Sequence, residues 1–554
     1  VELDLKDNPL GSSFDLSFLP SLTYLNLSRT GIAEVPPGLI DHPQIRSAWL
    51  TDNRITTLPE ALFELSPAAA AGYDFSGNPL TAAARERVKT CFTRTGVNFG
   101  VRAEQADITR TTALFPDIDE GQASGLIYRL PGSLVQGRLQ LTAWETELAT
   151  LSADLNLWAR DIPDRDPISG AMLEANERFT EQDARETFAG NLLRLWRHRS
   201  KIHPHARADV FTAEAKFIGD LPILSADFNH ITALTINGNK GLRGDAAFLR
   251  SFSRLKRLFF RNGQLDQLSE TLKNLSTLEV LVLDSCGVSL TAESLTALAA
   301  MPRLESLELP GNPLNLVPDL QTLNSLTYLD LSRTGLLEVP PGLIDHPTLK
   351  TAILSENQIT ELPESLFELS AQAGDGYDLS NNPLSASTRE RIKQYNRETG
   401  QDFAVLADLA DIETTQQLFP DLDAQDASDV FYSLPGSIEH GRSQLRHWQA
   451  EIRQLDADLA RWAAAGPSIH PDTGQVLNPR QVFVMQTNRK LFAQRIEELW
   501  RFRFAEKATQ RGNVLIAELP FIGDLPVLSA DFSHIAELTL DGNPALSGID
   551  AFLW

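Results

Sequence analysis

The chain has 554 residues, 42% of them hydrophobic and 22% charged, which is the composition of folded protein and more chain than one compact domain needs. The formal net charge is −24, and such an excess of carboxylates repels phosphate backbones and anionic headgroups, so the expected partner is a protein surface and not nucleic acid. Two cysteines, Cys91 and Cys286, exclude a disulfide framework and a thiolate metal site, and no apolar run approaches the roughly 18 residues that span a bilayer.

From the N-terminus, Val1 to Leu10 already read as the inside of a repeat, so an array longer than this chain is expected. The repeat is clearest in Leu304, Leu307, Leu309, Asn312 and Leu314, the spacing LxxLxLxxNxL. Leu278, Leu281, Leu283 and Val288 keep it with Cys286 in the asparagine slot, and Leu326, Leu329, Leu331 and Leu336 keep it with Thr334 there. Alternate residues of a short strand point inward, the chain then bends, and the Asn side chain bonds main-chain groups left open at the bend. One such unit cannot bury its apolar face alone, so neighbours stack. About four units lie between residues 1 and 81 and about seven between 231 and 385. The expected fold class is therefore α/β: leucine-rich-repeat solenoid blocks.

After Asn78-Pro79-Leu80 the period changes, and residues 82–94 read as a helix that caps the solenoid; 386–399 do the same, ending at Gly400. A segment of about 110 residues without the repeat consensus follows. Leu141, Trp144, Leu148, Leu151, Leu155 and Trp158 make one apolar face of a long helix, and Phe188, Leu192, Leu195 and Trp196 mark a second. Asp166-Pro167 and Gly170 supply the turn of an antiparallel hairpin. The tryptophan stripe reads either as packing within the hairpin or as a docking face for a partner helix.

A second periodicity overlies the first. Ser21–Pro43 and Ser325–Pro347 are identical at 20 of 23 positions, a shift of 304 residues. The same shift pairs Trp144, Trp158 and Trp196 with Trp448, Trp462 and Trp500, and Phe217-Ile218-Gly219-Asp220 with Phe521-Ile522-Gly523-Asp524. The chain is expected to be a tandem duplication in which repeat blocks at 1–102, 210–406 and 514–554 alternate with all-α helical-hairpin blocks at 103–209 and 407–513.

The strand positions between the consensus leucines face the concave side of a solenoid. They carry Arg257, Phe259 and Arg261, then Tyr328 and Arg333, and in the first block Tyr24, Arg29 and Trp49. Aromatic and arginine side chains are enriched at binding hot spots, which makes these eight the candidate protein-binding residues. Tyr24 and Tyr328 have an alternative role, covering neighbouring strands.

The stretch Leu349–Leu384, with its LxxNxIxxLPxxL and YDLSNNPL wording, resembles the repeats of bacterial secreted effectors of the IpaH, SspH and YopM group, and also large leucine-rich toxin-like proteins of pseudomonads. The resemblance implies secretion or translocation into a host cell, a host protein as partner, and in many members a helical E3 ubiquitin ligase domain with its cysteine in a Cys-x-Asp loop. Neither cysteine matches: Cys286-Gly287-Val288 sits in a repeat slot and Cys91-Phe92-Thr93 on the cap helix.

Other chemistry finds no constellation. His203 and His205 form a His-x-His pair without a third ligand nearby, and no phosphate loop, calcium loop or acid–base pair is spelled out. Catalytic, cofactor and metal residues are expected to be none, and this fragment is not expected to be an enzyme. Three readings follow: a protein–protein interaction scaffold, the substrate-recognition region of a ligase whose catalytic domain lies elsewhere, or a structural array that self-associates through its helical blocks.

Overall fold

A computed structural model describes residues 1–554 except 13, 201–208, 245, 266–267, 274, 505–512, 543–544 and 554. The His203-x-His205 pair lies outside the described residues. The chain forms two compact units, one of Val1–Val288 with Thr296–Arg303, the other of Ser289–Leu295 with Leu304–Trp554.

The first unit begins with four short parallel strands, Glu2–Asp4, Tyr24–Asn26, Ser47–Trp49 and Tyr73–Asp74, stacked in sequence order. Leu25 and Ala48 face each other in register and are fully buried, while of their strand neighbours Trp49 is exposed, Tyr24 and Ser47 are half-buried and Asn26 is covered. The bends between strands are held by asparagine. Asn53 Nδ2 donates to the carbonyls of Leu27 at 2.7 Å and Thr51 at 3.2 Å, and its Oδ1 accepts from the main-chain N–H of Thr30 and Gly31. Asn78 repeats this one turn on, bonding Leu50 and Phe75. Each of these side chains satisfies buried groups that the sheet leaves open, so it is a structural requirement of the bend.

The helix Ala82–Thr95 closes the stack. Thr81 caps its start and Gly96, at φ 77°, its end. Beyond it the chain returns as one more rung, where Phe75 N–H donates to Phe99 O at 2.8 Å. Two short helices that the periodicity did not announce follow, Gln105–Leu114 and Glu120–Arg129; the second starts with a capping box between Asp119 and Gln122. The helices Leu134–Arg160 and Ala175–Arg197 then form the hairpin. Trp144 and Trp196 both pack on Phe115, at 5.6 and 6.0 Å, while Trp158 near the end of the first helix packs on Phe188 earlier in the second, so the two run antiparallel. The tryptophan stripe is thus occupied within the chain, which is the packing role and not the docking one.

Four further strands complete this unit, Val210–Glu214, Ala233–Asn237, Arg257–Arg261 and Val280–Asp284, again parallel and in order. The first of them carries no leucine-rich consensus; it pairs with the second through Phe211 opposite Leu234. A second ladder, Gly219–Asp220, Leu242–Gly244 and Gln264–Leu265, runs beside the first. Cys286 fills an asparagine slot here, its Sγ donating to Phe260 O at 3.1 Å and Asp284 O at 3.2 Å.

The second unit carries strands Ser306–Glu308, Tyr328–Asp330, Thr351–Ile353 and Tyr377–Asp378. Asn357 and Asn382 hold their bends, and helix Ala386–Thr399 ends on Gly400 at φ 79°. Helices Leu409–Leu418, Ala424–Ser433, Ile438–Ala464 and Pro479–Arg501 follow, then strands Val514–Glu518 and Glu537–Asp541. Stacked parallel strands joined by an asparagine ladder make the fold of both units a leucine-rich repeat.

Candidate protein-binding faces

The open faces of the strand stacks hold six of the eight candidate residues, Arg29 and Arg333 lying in the turns beyond them, and the surroundings treat them differently. In the first, Asp4, Asn26, Trp49 and Asp74 share a row by register. Tyr24 lies in the neighbouring row and sets its ring edge-on to Trp49, with centroids 5.5 Å apart. Trp49 remains 46% exposed. Partial burial, with the charge of Asp4 behind it, holds the Tyr24 hydroxyl above its usual pKa. Arg29 occupies a left-handed turn at φ 55°, and its guanidinium grips Asp7 with Nε 2.5 Å from Oδ1 and Nη2 2.9 Å from Oδ2. Of these three candidates Trp49 is the open one. Tyr24 supports it, and Arg29 is spent on a surface ion pair.

In the second stack Leu258 and Phe260 go inward, so Arg257, Phe259 and Arg261 share the open side of one strand. Phe259 sits in a row between Thr235 and Val282. Arg261 lies between Asn237 and Asp284, with its guanidinium 5.5 Å from the Phe259 ring centroid. That is a cation–π contact, and the ring is half-buried. Lys256 and Glu279 close the edge with a 2.7 Å ion pair.

In the second unit Tyr328 stands between Ser306 and Thr351. The adjacent row reads Glu308, Asp330, Ile353 and Asp378. Burial first, then the charges of Glu308 and Asp330, raise the Tyr328 pKa. Arg333 takes the same left-handed turn as Arg29, at φ 56°. Gly311 stands where Asp7 would be, 304 residues on, and among the described residues the Arg333 guanidinium has no ion-pair partner.

The cysteines belong to the scaffold. Burial pushes the Cys286 thiol up to about 12, far from the thiolate character that nucleophilic chemistry needs. Cys91 is 3% exposed on the cap helix, 3.5 Å from the Thr95 hydroxyl. Among the described residues no three His, Cys, Asp or Glu side chains gather as a metal site would require.

One junction was invisible in the spacing of the sequence. Arg185, 3% exposed, sits on the second hairpin helix. Nη1 donates to Trp158 O at 3.0 Å and Asp161 O at 2.8 Å, both at the end of the first helix, and Nη2 donates to Ile218 O at 2.8 Å at the start of the next strand pair. Trp158 reaches the same place, with Nε1 donating to Asp220 O at 3.0 Å and its ring 5.1 Å from Phe217. Arg489 and Trp462 make the corresponding bonds to Ile522 and Asp524 in the other unit. Phe217-Ile218-Gly219-Asp220 had stood out as a repeated string, and its main chain is what the hairpin holds.

No protein-family model and no curated protein matches the sequence. Among solved structures the chain is similar to a leucine-rich-repeat protein of Leptospira interrogans, at 15% identity and TM-score 0.29, over 69% of this chain and 78% of that one. It is similar to an internalin of Listeria monocytogenes at 12% identity and TM-score 0.27, over 66% and 76%. It is similar to human trophoblast glycoprotein at 18% identity and TM-score 0.29, over 36% and 77%. The leucine-rich-repeat fold is carried by the strand and asparagine ladders of the chain itself.

Proposed function

We propose that this chain is a protein–protein interaction scaffold, the repeat region of a larger bacterial secreted effector or toxin. The observation that carries the reading is the open face of the strand stacks. Phe259, Tyr328 and Trp49 stand there on rigid strands, with Arg257, Arg261 and Arg333 beside them, and rigid aromatic and arginine side chains are what hot spots are built from. Tyr24 and Arg29 take the supporting positions. The tandem 304-residue unit, with repeat blocks 1–102, 210–406 and 514–554 and helical blocks 103–209 and 407–513, repeats this presentation along the chain. The sequence resemblance supports a host protein as partner and secretion or translocation into a host cell as the setting. It also supports the role of substrate-recognition region for a ligase domain outside this chain.

The experiment is affinity capture from a host-cell lysate with the intact chain and with Phe259→Ala/Tyr328→Ala. Proteins retained by the first and lost by the second support the reading, and an unchanged set counts against this face. A self-associating array has one observation in its favour. Met172 and Phe179 at one hairpin tip and Val476 and Phe483 at the other are 59% to 78% exposed. Sedimentation equilibrium that finds only monomer at high concentration sinks that reading.

A further inference from the structure

The end of the first hairpin helix and the strand Gly219–Asp220 enclose a cleft of about 940 Å³, within the range of ~300–1,000 Å³ that ligand-binding clefts occupy. Its floor is already committed. Trp158 and Arg185 lie there, hydrogen-bonded to the carbonyls of Asp220, Trp158, Asp161 and Ile218. Its rim is not. Leu157 on the helix and Ile223 just beyond the strand both line it and are 69% and 71% exposed. Asp154 and Asp161 flank Leu157 on the same helix face, and Asp220 stands across from them.

Among the described residues none of these three carboxylates has a side-chain hydrogen bond or an ion-pair partner. Among the described residues that line the cleft, Arg243, beside Asp220 in the ladder register, is the exposed cation, and buried Arg185 attracts Asp161 and Asp220. Three carboxylates still outnumber two guanidiniums. Asp161 caps the C-terminus of the 27-residue helix, whose last carbonyls Arg185 already takes, and Asp154 lies about two turns before it.

The residues 304 positions on provide the contrast. Arg461, at the position of Leu157, pairs with Asp458. Gln454, at the position of Thr150, donates to Asp458 at 3.0 Å. Ser547, at the position of Arg243, donates to Asp524. There Asp458 and Asp524 are satisfied within the chain, Ala465 stands at the place of Asp161, and of the aliphatic pair only Val527, at the position of Ile223, remains exposed.

We infer that the cleft of the first unit is a docking site for a segment of a protein partner carrying lysine or arginine beside an aliphatic side chain, the apolar group lying between Leu157 and Ile223 and the cations on Asp154 and Asp161. The inference rests on the scaffold reading but on a surface distinct from the strand faces. The counterpart around Arg461 does not share the role.

The test is fluorescence anisotropy on the full chain with a fluorescein-labelled peptide of alternating lysine and leucine, and with versions carrying Glu for Lys or Ser for Leu. The parent peptide binds and the Glu version does not. The Ser version, Asp154→Asn/Asp161→Asn and Leu157→Ser/Ile223→Ser each weaken binding by about tenfold or more, as expected for an anchored contact. Asp458→Asn leaves it unchanged, and circular dichroism shows each variant folded. The inference is overturned if the parent peptide does not bind, if the Ser version binds as tightly, or if Asp458→Asn costs as much as Asp154→Asn/Asp161→Asn. Phe259→Ala/Tyr328→Ala leaves peptide affinity unchanged. If it abolishes peptide binding, the peptide sits on the strand face and the cleft fails. If peptide binding stands while lysate capture survives the same double variant, only the strand-face reading fails.

Discussion

Arg185 donates to Ile218 O at 2.8 Å across 33 residues of sequence, and this bond joins the helical hairpin to the strands that follow it. The same guanidinium ends the first hairpin helix by taking the carbonyls of Trp158 and Asp161. A buried cation placed so that main-chain oxygens share its charge is costly to remove, because those oxygens are then left dry. Arg185→Ala is expected to destabilise the first unit by about 3 kcal/mol. Hydrogen exchange in dilute urea checks this, with faster exchange at 211–221 and 150–161 and unchanged exchange in the second unit. Arg489→Ala gives the mirror result.

The asparagine ladder predicts a graded series. Asn357 serves Thr334 N–H, Leu336 N–H and the carbonyls of Leu331 and Leu354. Asn357→Ala leaves these buried groups without partners and is expected to cost about 2–4 kcal/mol in urea unfolding. Cys286→Ala removes a sulfur whose hydrogen bonds are weak and is expected to cost less than the asparagine, about 1 kcal/mol. Equal losses would contradict the ladder.

Cys286 also predicts a reactivity. With its thiol pushed up to about 12 by burial, it is expected to resist thiol-reactive dye at pH 8 in the native chain and to react promptly in denaturant. Labelling of Cys286 in the native chain, identified by peptide mass, would contradict the burial described.

A pH dependence follows from Asp402, whose pKa rises to about 6, chiefly through burial and then through the charge of Asp429. The folded value lies above the unfolded one. The stabilisation from the protonated carboxyl is therefore complete below the unfolded pKa and is lost as pH rises through about 6. Asn98 occupies the matching place and accepts from Gly100 N–H at 3.1 Å, as Asp402 accepts from Ala404 N–H at 3.0 Å, without a charge. Asp402→Asn is expected to stabilise the second unit at pH 7 by about 2–3 kcal/mol and to flatten its stability between about pH 5 and 7. Thermal melts of both chains at the two pH values decide it.

Much of this architecture is written locally. The leucine spacing and the asparagine slot follow from a strand and a bend about 23 residues apart, and they remain legible even where Cys286 or Thr334 stands in for asparagine. The helices Gln105–Leu114 and Glu120–Arg129 were not legible, because ten residues with a weak apolar face carry little periodicity. The candidate faces were half legible. Period-two alternation places Phe259 and Tyr328 outward. That Arg29 is spent on Asp7 depends on where the 22-residue spacing brings two turns. The junction at Arg185 and the cleft beside it depend on contacts between elements, and a single sequence holds no local signal for those.

The most direct test of the scaffold reading is hydroxyl-radical footprinting of the chain alone and with the protein it captures. Phe259, Tyr328 and Trp49 are expected to be oxidised in the free chain and protected in the complex, while exposed aromatics at the hairpin tips, Phe179 and Phe483, stay equally reactive. Protection that spares all three and falls on the tips would contradict it.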